Sequence, residues 1–113
     1  MLKEPRIAKS KLKAHSKFIV SLGMCAAKGL HGVDCVEEIQ SCHVRYGFYC
    51  MSRKPQKREL PMCFAHHLRQ HSIGEPIFWG DKLEDAILLC EELWDITGDV
   101  ESGQFLVTDF VRN

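Results

Sequence analysis

The chain has 113 residues, 45% of them hydrophobic and 27% charged, and its 15 Lys and Arg balance 15 Asp and Glu. That length supports one modest core, and the composition is that of a globular protein rather than a disordered or fibrous one. No run approaches the ~20 consecutive apolar residues of a membrane span, so no membrane association is expected, and the basic start MLKEPRIAKSKLKAHSKF reads as mature sequence.

The charge balance hides an asymmetry. Residues 1–73 hold 13 Lys and Arg against 5 Asp and Glu, a net +8; residues 74–113 hold 2 against 10, a net −8. A basic segment of this kind points to an anionic partner such as nucleic acid, or to two halves that attract each other. The six cysteines, at 25, 35, 42, 50, 63 and 90, would allow three disulfides in a secreted chain. With no secretion signal, reduced thiols in a cytoplasm are expected.

One domain is expected over 1–113. Residues 1–10 read as a flexible basic arm, and 11–21 as a short helix with Phe18, Ile19 and Leu22 turned inward. The stretch KGLHGVD (28–34) reads as turns, and 35–44 as a first strand. A long loop over 46–57 leads to a short second strand at 58–62, with Pro61 suited to an edge. Residues 63–71 form a helix that stops before Gly74, and 75–79 a further helical turn. Asp81 then offers a cap, with Glu84 three places on, to a helix running to about Ile96. Leu83, Ala86, Ile87, Cys90, Leu93 and Trp94 make its apolar stripe, and Gly98 suits its end. Residues 104–111 read as a last strand or an extended tail.

PMCFAHHLRQH (61–71) places three histidines and a cysteine in eleven residues. On a helix, His67 and His71 stand one turn apart on one face, the spacing that offers two imidazoles to one cation. His66 points about 100° away and needs a different role. A hairpin packed on this helix would bring His43 toward that face, where an imidazole could take a proton from water beside a cation-bound phosphodiester. Cys25, Cys35, Cys50 and Cys63, with His66, are candidates for a structural zinc that pins the long loop, since small ββα units have thin cores. Cys90, on the apolar stripe, is expected in the core, as are Phe78 and Trp79. Arg53, Lys54, Lys57 and Arg58 form a basic patch that would bind phosphates, with Arg69 on the helix nearby.

CHVRYG, then RKPQKRELPMCFAHHLRQHSIGEPIFWG, resembles the HNH (His-Asn-His) ββα-metal endonucleases, most nearly their short phage and prophage members. The resemblance covers roughly Phe18 to Asp99. It implies an α+β fold with a small ββα-metal (His-Me finger) core over 35–72, flanked by an N-terminal helix and a C-terminal helix over 81–97. It implies metal-dependent hydrolysis of DNA, with Mg or Zn as cofactor, in the cytoplasm of a bacterial host. By resemblance His43 takes the general-base position, Arg45 lies near the phosphate backbone, and His67 and His71 are metal ligands. Cys42 stands where many members have a metal-binding Asp or His. The middle Asn is absent here, with Gln56 in the matching region, and a Cys-x-x-Cys is missing after Cys25. These departures keep a second reading open: a catalytically inactive nucleic-acid-binding or adaptor module with a structural zinc.

Overall fold

The computed structural model describes residues 6–46 and 56–113. Its first element is α1 (Lys9–Ser21), which starts inside the stretch expected to fray. His15, Phe18, Ile19 and Leu22 fall at helical spacing and are all buried. Their stripe faces a two-stranded antiparallel sheet made of β1 (Ile39–His43) and β2 (Glu59–Cys63). The register runs from Ile39 opposite Cys63 to His43 opposite Glu59.

β1 is shorter than the 35–44 expected, and residues 35–38 stay outside the ladder. That leaves Cys35 free to turn away from the sheet. β2 is buried along its whole length. Pro61 fits within it because each strand of a two-stranded sheet has one edge that needs no ladder donor. The Pro61 carbonyl on that edge accepts instead from the N–H of Ala26, at 2.8 Å, which lays the Cys25–Ala27 loop along β2.

α2 (Phe64–Ile73) begins at once after β2, so the sheet and helix share a rigid corner. Gly74, with φ of 87°, ends α2 in a backbone geometry open to glycine, and α3 (Glu75–Trp79) follows. Phe78 and Trp79 are buried against the core, as expected, and Trp79 Nε1 donates to Gln70 Oε1 at 2.7 Å.

α4 (Leu83–Asp95) buries Ala86, Leu89, Cys90 and Leu93. Asp81 does not cap it. A single tight turn over Gly80–Lys82 comes between, and the residue at the cap position is Lys82, with no side-chain cap bond. The last element also departs from expectation. Residues 104–111 belong to α5 (Val100–Arg112), not to a strand or tail. Asp99 caps it by accepting from the backbone N–H of Ser102, and Gly103, Val107 and Phe110 form its buried stripe. Val107, Thr108 and Val111 have local strand preference, which yields here to the cap and the helical period.

α5 packs closely on α1. A Cβ on Gly103 would stand 2.7 Å from Leu22 Cδ2 and 3.0 Å from Phe18 Cζ, so glycine permits the approach. The result is a small compact α+β fold with a radius of gyration of 13.4 Å, against about 13 Å for a compact 100-residue chain. Among the described residues, no helix is long and apolar enough to cross a membrane.

Candidate metal centre

Four side chains from separate stretches converge beside the hairpin. Cys25 lies in the loop after α1, Cys35 in the segment before β1, Cys63 at the end of β2 and His66 in the first turn of α2. Their ligand atoms all lie within 4.8 Å of one another. His66 Nδ1 is 3.1 Å from Cys63 Sγ, 3.6 Å from Cys35 Sγ and 3.7 Å from Cys25 Sγ. In a tetrahedral site with Zn–S of about 2.3 Å and Zn–N of about 2.0 Å, nitrogen and sulfur ligands stand ~3.5 Å apart.

The rest of the His66 ring is tied in the way a ligand needs. Its Nε2 donates to the Leu30 carbonyl at 3.1 Å, which leaves the Nδ1 lone pair facing the sulfurs. The turn that carries Leu30 is itself clipped to α3, because His31 Nε2 lies 2.6 Å from the Phe78 carbonyl and can donate to it.

The sulfurs differ in character. Burial pushes the Cys25 thiol up to about 12, and partial desolvation also raises that of Cys35, whose residue is otherwise exposed. Burial acts on Cys63 in the same direction, but it is brought down to about 6, chiefly by the backbone N–H groups of His66 and Val36. Cys63 is the N-cap of α2, with the His66 N–H 3.4 Å from its sulfur, so the helix terminus favours thiolate there. Three thiols and one imidazole suit a borderline-soft cation, and a cation held by all four would have no open position, the arrangement of structural rather than catalytic sites. Of the five residues expected for such a set, Cys25, Cys35, Cys63 and His66 are brought together. Cys50 lies outside the described residues.

The other histidines of α2 form a second feature. His67 and His71 lie with their Nε2 atoms 3.1 Å apart and ring centroids 4.9 Å apart. His71 is exposed and His67 half-buried. Burial, and then the neighbouring His71, hold the His67 imidazole below its ordinary pKa, which favours the neutral form that can ligate. The pair stands apart from the four-donor cluster: among the described residues, only Cys25, Cys35, Cys63 and His66 make a group of three or more potential ligands.

Cys42 is fully buried, and its sulfur accepts from Gln70 Nε2 at 3.1 Å. Burial pushes its thiol up to about 12. His43, the last residue of β1, is half-buried, and its carbonyl accepts from Gln70 Nε2 at 3.4 Å. Directly across the ladder from it stands Glu59, 4% exposed, whose carboxylate accepts from Ser16 Oγ at 2.6 Å and from Ser41 Oγ. Arg45 is exposed. Its backbone N–H and that of Tyr46 donate to the Glu75 carboxylate at 2.7–2.9 Å, fixing where the chain leaves β1.

In the expected basic patch, Arg53 and Lys54 lie outside the described residues. Lys57 and Arg58 are half-buried: Lys57 Nζ sits 5.8 Å from the Trp94 ring centroid, and Arg58 Nη1 donates to the Tyr46 carbonyl at 3.1 Å. Arg69 is exposed on α2. Gln56, the expected stand-in for the middle Asn, is buried and accepts from the Ile7 N–H at 2.6 Å. Sequence reasoning did not single out Gln70, Gln40 or Glu75, whose roles come from partners distant in the chain.

No family model matches the chain, no curated protein matches it, and no solved structure matches it.

Proposed function

We propose that the chain is a small metal-dependent endonuclease acting on DNA, with zinc in the Cys3His centre as a structural staple and His67 and His71 as ligands to a separate reaction cation, magnesium or a transition metal. The observation that carries this reading is the 3.1 Å between His67 Nε2 and His71 Nε2 on an accessible helix face. Two imidazoles that share one ion stand ~3.0–3.4 Å apart for metal–nitrogen distances near 2.0–2.1 Å.

Two protein ligands leave positions for water and a phosphate oxygen. A cation held there would neutralise the phosphodiester and the leaving oxygen. His43, at the mouth of the hairpin that carries α2, would take the proton from the attacking water. Its cross-strand neighbour is Glu59, whose carboxylate is held by Ser16 and Ser41. Arg45 and Arg69, both exposed, supply positive charge for the phosphate backbone.

One set of contacts favours a second reading, an inactive nucleic-acid-binding or adaptor module stapled by zinc. Cys42 is fully buried with its sulfur accepting from Gln70, and Gln56 is buried and accepts from the Ile7 N–H. Supercoiled plasmid incubated with Mg²⁺, Mn²⁺ or Ni²⁺ separates the two. Nicking that disappears in His43→Ala supports the nuclease; salt-sensitive DNA binding with no nicking under any of these cations supports the module.

A further inference from the structure

Gln40 sits on β1 between two partners. Its Oε1 is 2.8 Å from His67 Nδ1, and its Nε2 is 2.5 Å from Glu38 Oε2. A carboxylate oxygen only accepts, so the amide nitrogen faces Glu38 and the amide oxygen faces His67. An amide oxygen also only accepts, so the hydrogen at that contact is carried by His67 Nδ1. In a neutral imidazole the lone pair then resides on Nε2, the atom 3.1 Å from His71 Nε2. Two lone pairs do not face each other at that distance. In the metal-free protein the hydrogen between the rings therefore belongs to His71.

We infer that Gln40, anchored by Glu38, is a positioning residue for the histidine pair: it locks His67 as the Nε2 acceptor and leaves His71 as the ring that must move its hydrogen to Nδ1 to share a cation. The inference rests on the reading of His67 and His71 as ligands to one cation, and extends it to two residues that touch no cation. The burial pattern agrees. The locked ring is half-buried, and the ring that must change is exposed, where water carries its hydrogen from one nitrogen to the other. Outer partners of this kind fix ligand tautomer and orientation in metal sites generally, and their loss typically costs about 10–100-fold in metal affinity.

The test uses the full chain with its Cys3His centre loaded with zinc, and compares wild type with Gln40→Leu, Gln40→Glu, Glu38→Ala and His67→Ala. Nitrogen-15 NMR of the imidazoles, in conditions where they are neutral and no second metal is added, reads the tautomers directly. Titration with Co²⁺ alone reads affinity. The expected result is a single Nδ1–H tautomer for His67 in wild type and in Gln40→Glu, whose carboxylate also accepts. In Gln40→Leu a tautomer mixture and a ~10–100-fold weaker Co²⁺ affinity are expected, with a smaller shift in the same direction in the exposed Glu38→Ala. A role confined to tying β1 to α2 would leave the tautomer unmoved. An unchanged His67 tautomer in both Gln40→Leu and Glu38→Ala overturns the inference. If His67→Ala binds Co²⁺ as tightly as wild type, the cation reading of the pair fails, and the tautomer comparison still decides what Gln40 does.

Discussion

His66 Nδ1 stands 3.1 Å from Cys63 Sγ, so the last residue of β2 and the first turn of α2 meet at one point. Cys25 and Cys35 bring two loops to the same point. Zinc held there would tie these four stretches together at the corner from which α2 presents His67 and His71.

Cys35 tests the staple most cleanly, because it is exposed and lies outside every helix and strand. Cys35→Ser should lose zinc on dialysis where wild type keeps it. Its stability should fall by on the order of 3 kcal/mol, or ~10 °C or more in the thermal midpoint of a chain this size. Chelator-treated wild type should melt where Cys35→Ser does. Zinc content by elemental analysis and calorimetry check both statements.

His15 predicts an acid-sensitive fold. It is fully buried, and its Nδ1 donates to Thr97 Oγ1 at 2.7 Å, because the Thr97 hydroxyl hydrogen is directed to the Trp94 carbonyl. Nε2 has no hydrogen-bond partner among the described residues. Burial lowers its pKa below the ordinary 6.5, against an opposing pull from Glu59. In the window from 6.5 down to the folded value, the unfolded chain binds a proton that the native chain does not. Stability from this group is thus fully present above that window and is lost as pH falls through it, by up to about 1.4 kcal/mol per pH unit. Denaturant unfolding of the zinc-loaded protein across this range should show the slope, and His15→Gln should flatten it.

Gly103→Ala should destabilise the protein. Alanine favours a helix interior by up to about 1 kcal/mol, but the new methyl would meet Leu22 and Phe18 inside contact distance. Overpacking of this kind costs about 1–3 kcal/mol, so a net loss near 1 kcal/mol is expected. Urea unfolding measures it, and a stabilised variant would show that α5 can shift away from α1 without cost.

The two histidines of α2 should act as a unit in plasmid nicking. His67→Ala and His71→Ala should each abolish cation-dependent cleavage, with the double variant no worse than either alone. Zinc content should stay at the wild-type level in all three, because the Cys3His donors are untouched. Independent, multiplicative losses would argue against one shared ion.

Most of the fold could be read from the chain because its periods are clean. The Phe18, Ile19 and Leu22 stripe gave α1, and the Ala86, Cys90 and Leu93 stripe gave α4. α5 departs from the expected strand or tail: Val107, Thr108, Phe110 and Val111 favour strands locally, but the Asp99 cap and the tight fit of Gly103 decide for a helix. Asp81 offered cap chemistry, but Gly80 inserted a turn that took it away. At the metal centre the donor types were recognisable and the pairing was not, since Cys25 and Cys35 show no short-range partner spacing. The legible signal was Cys63-Phe64-Ala65-His66, an N-cap thiol with an imidazole one turn on. Gln40, Gln70 and Glu75 had no local signature at all, because each is defined by a partner at least nine residues away.

X-ray absorption at the zinc edge, on protein purified without chelator, tests the central claim most directly. The account predicts one zinc per chain bound by three sulfurs and one imidazole nitrogen, with Cys63→Ser losing one sulfur from that shell. A chain that carries no zinc, or zinc bound chiefly by nitrogen and oxygen, would contradict it.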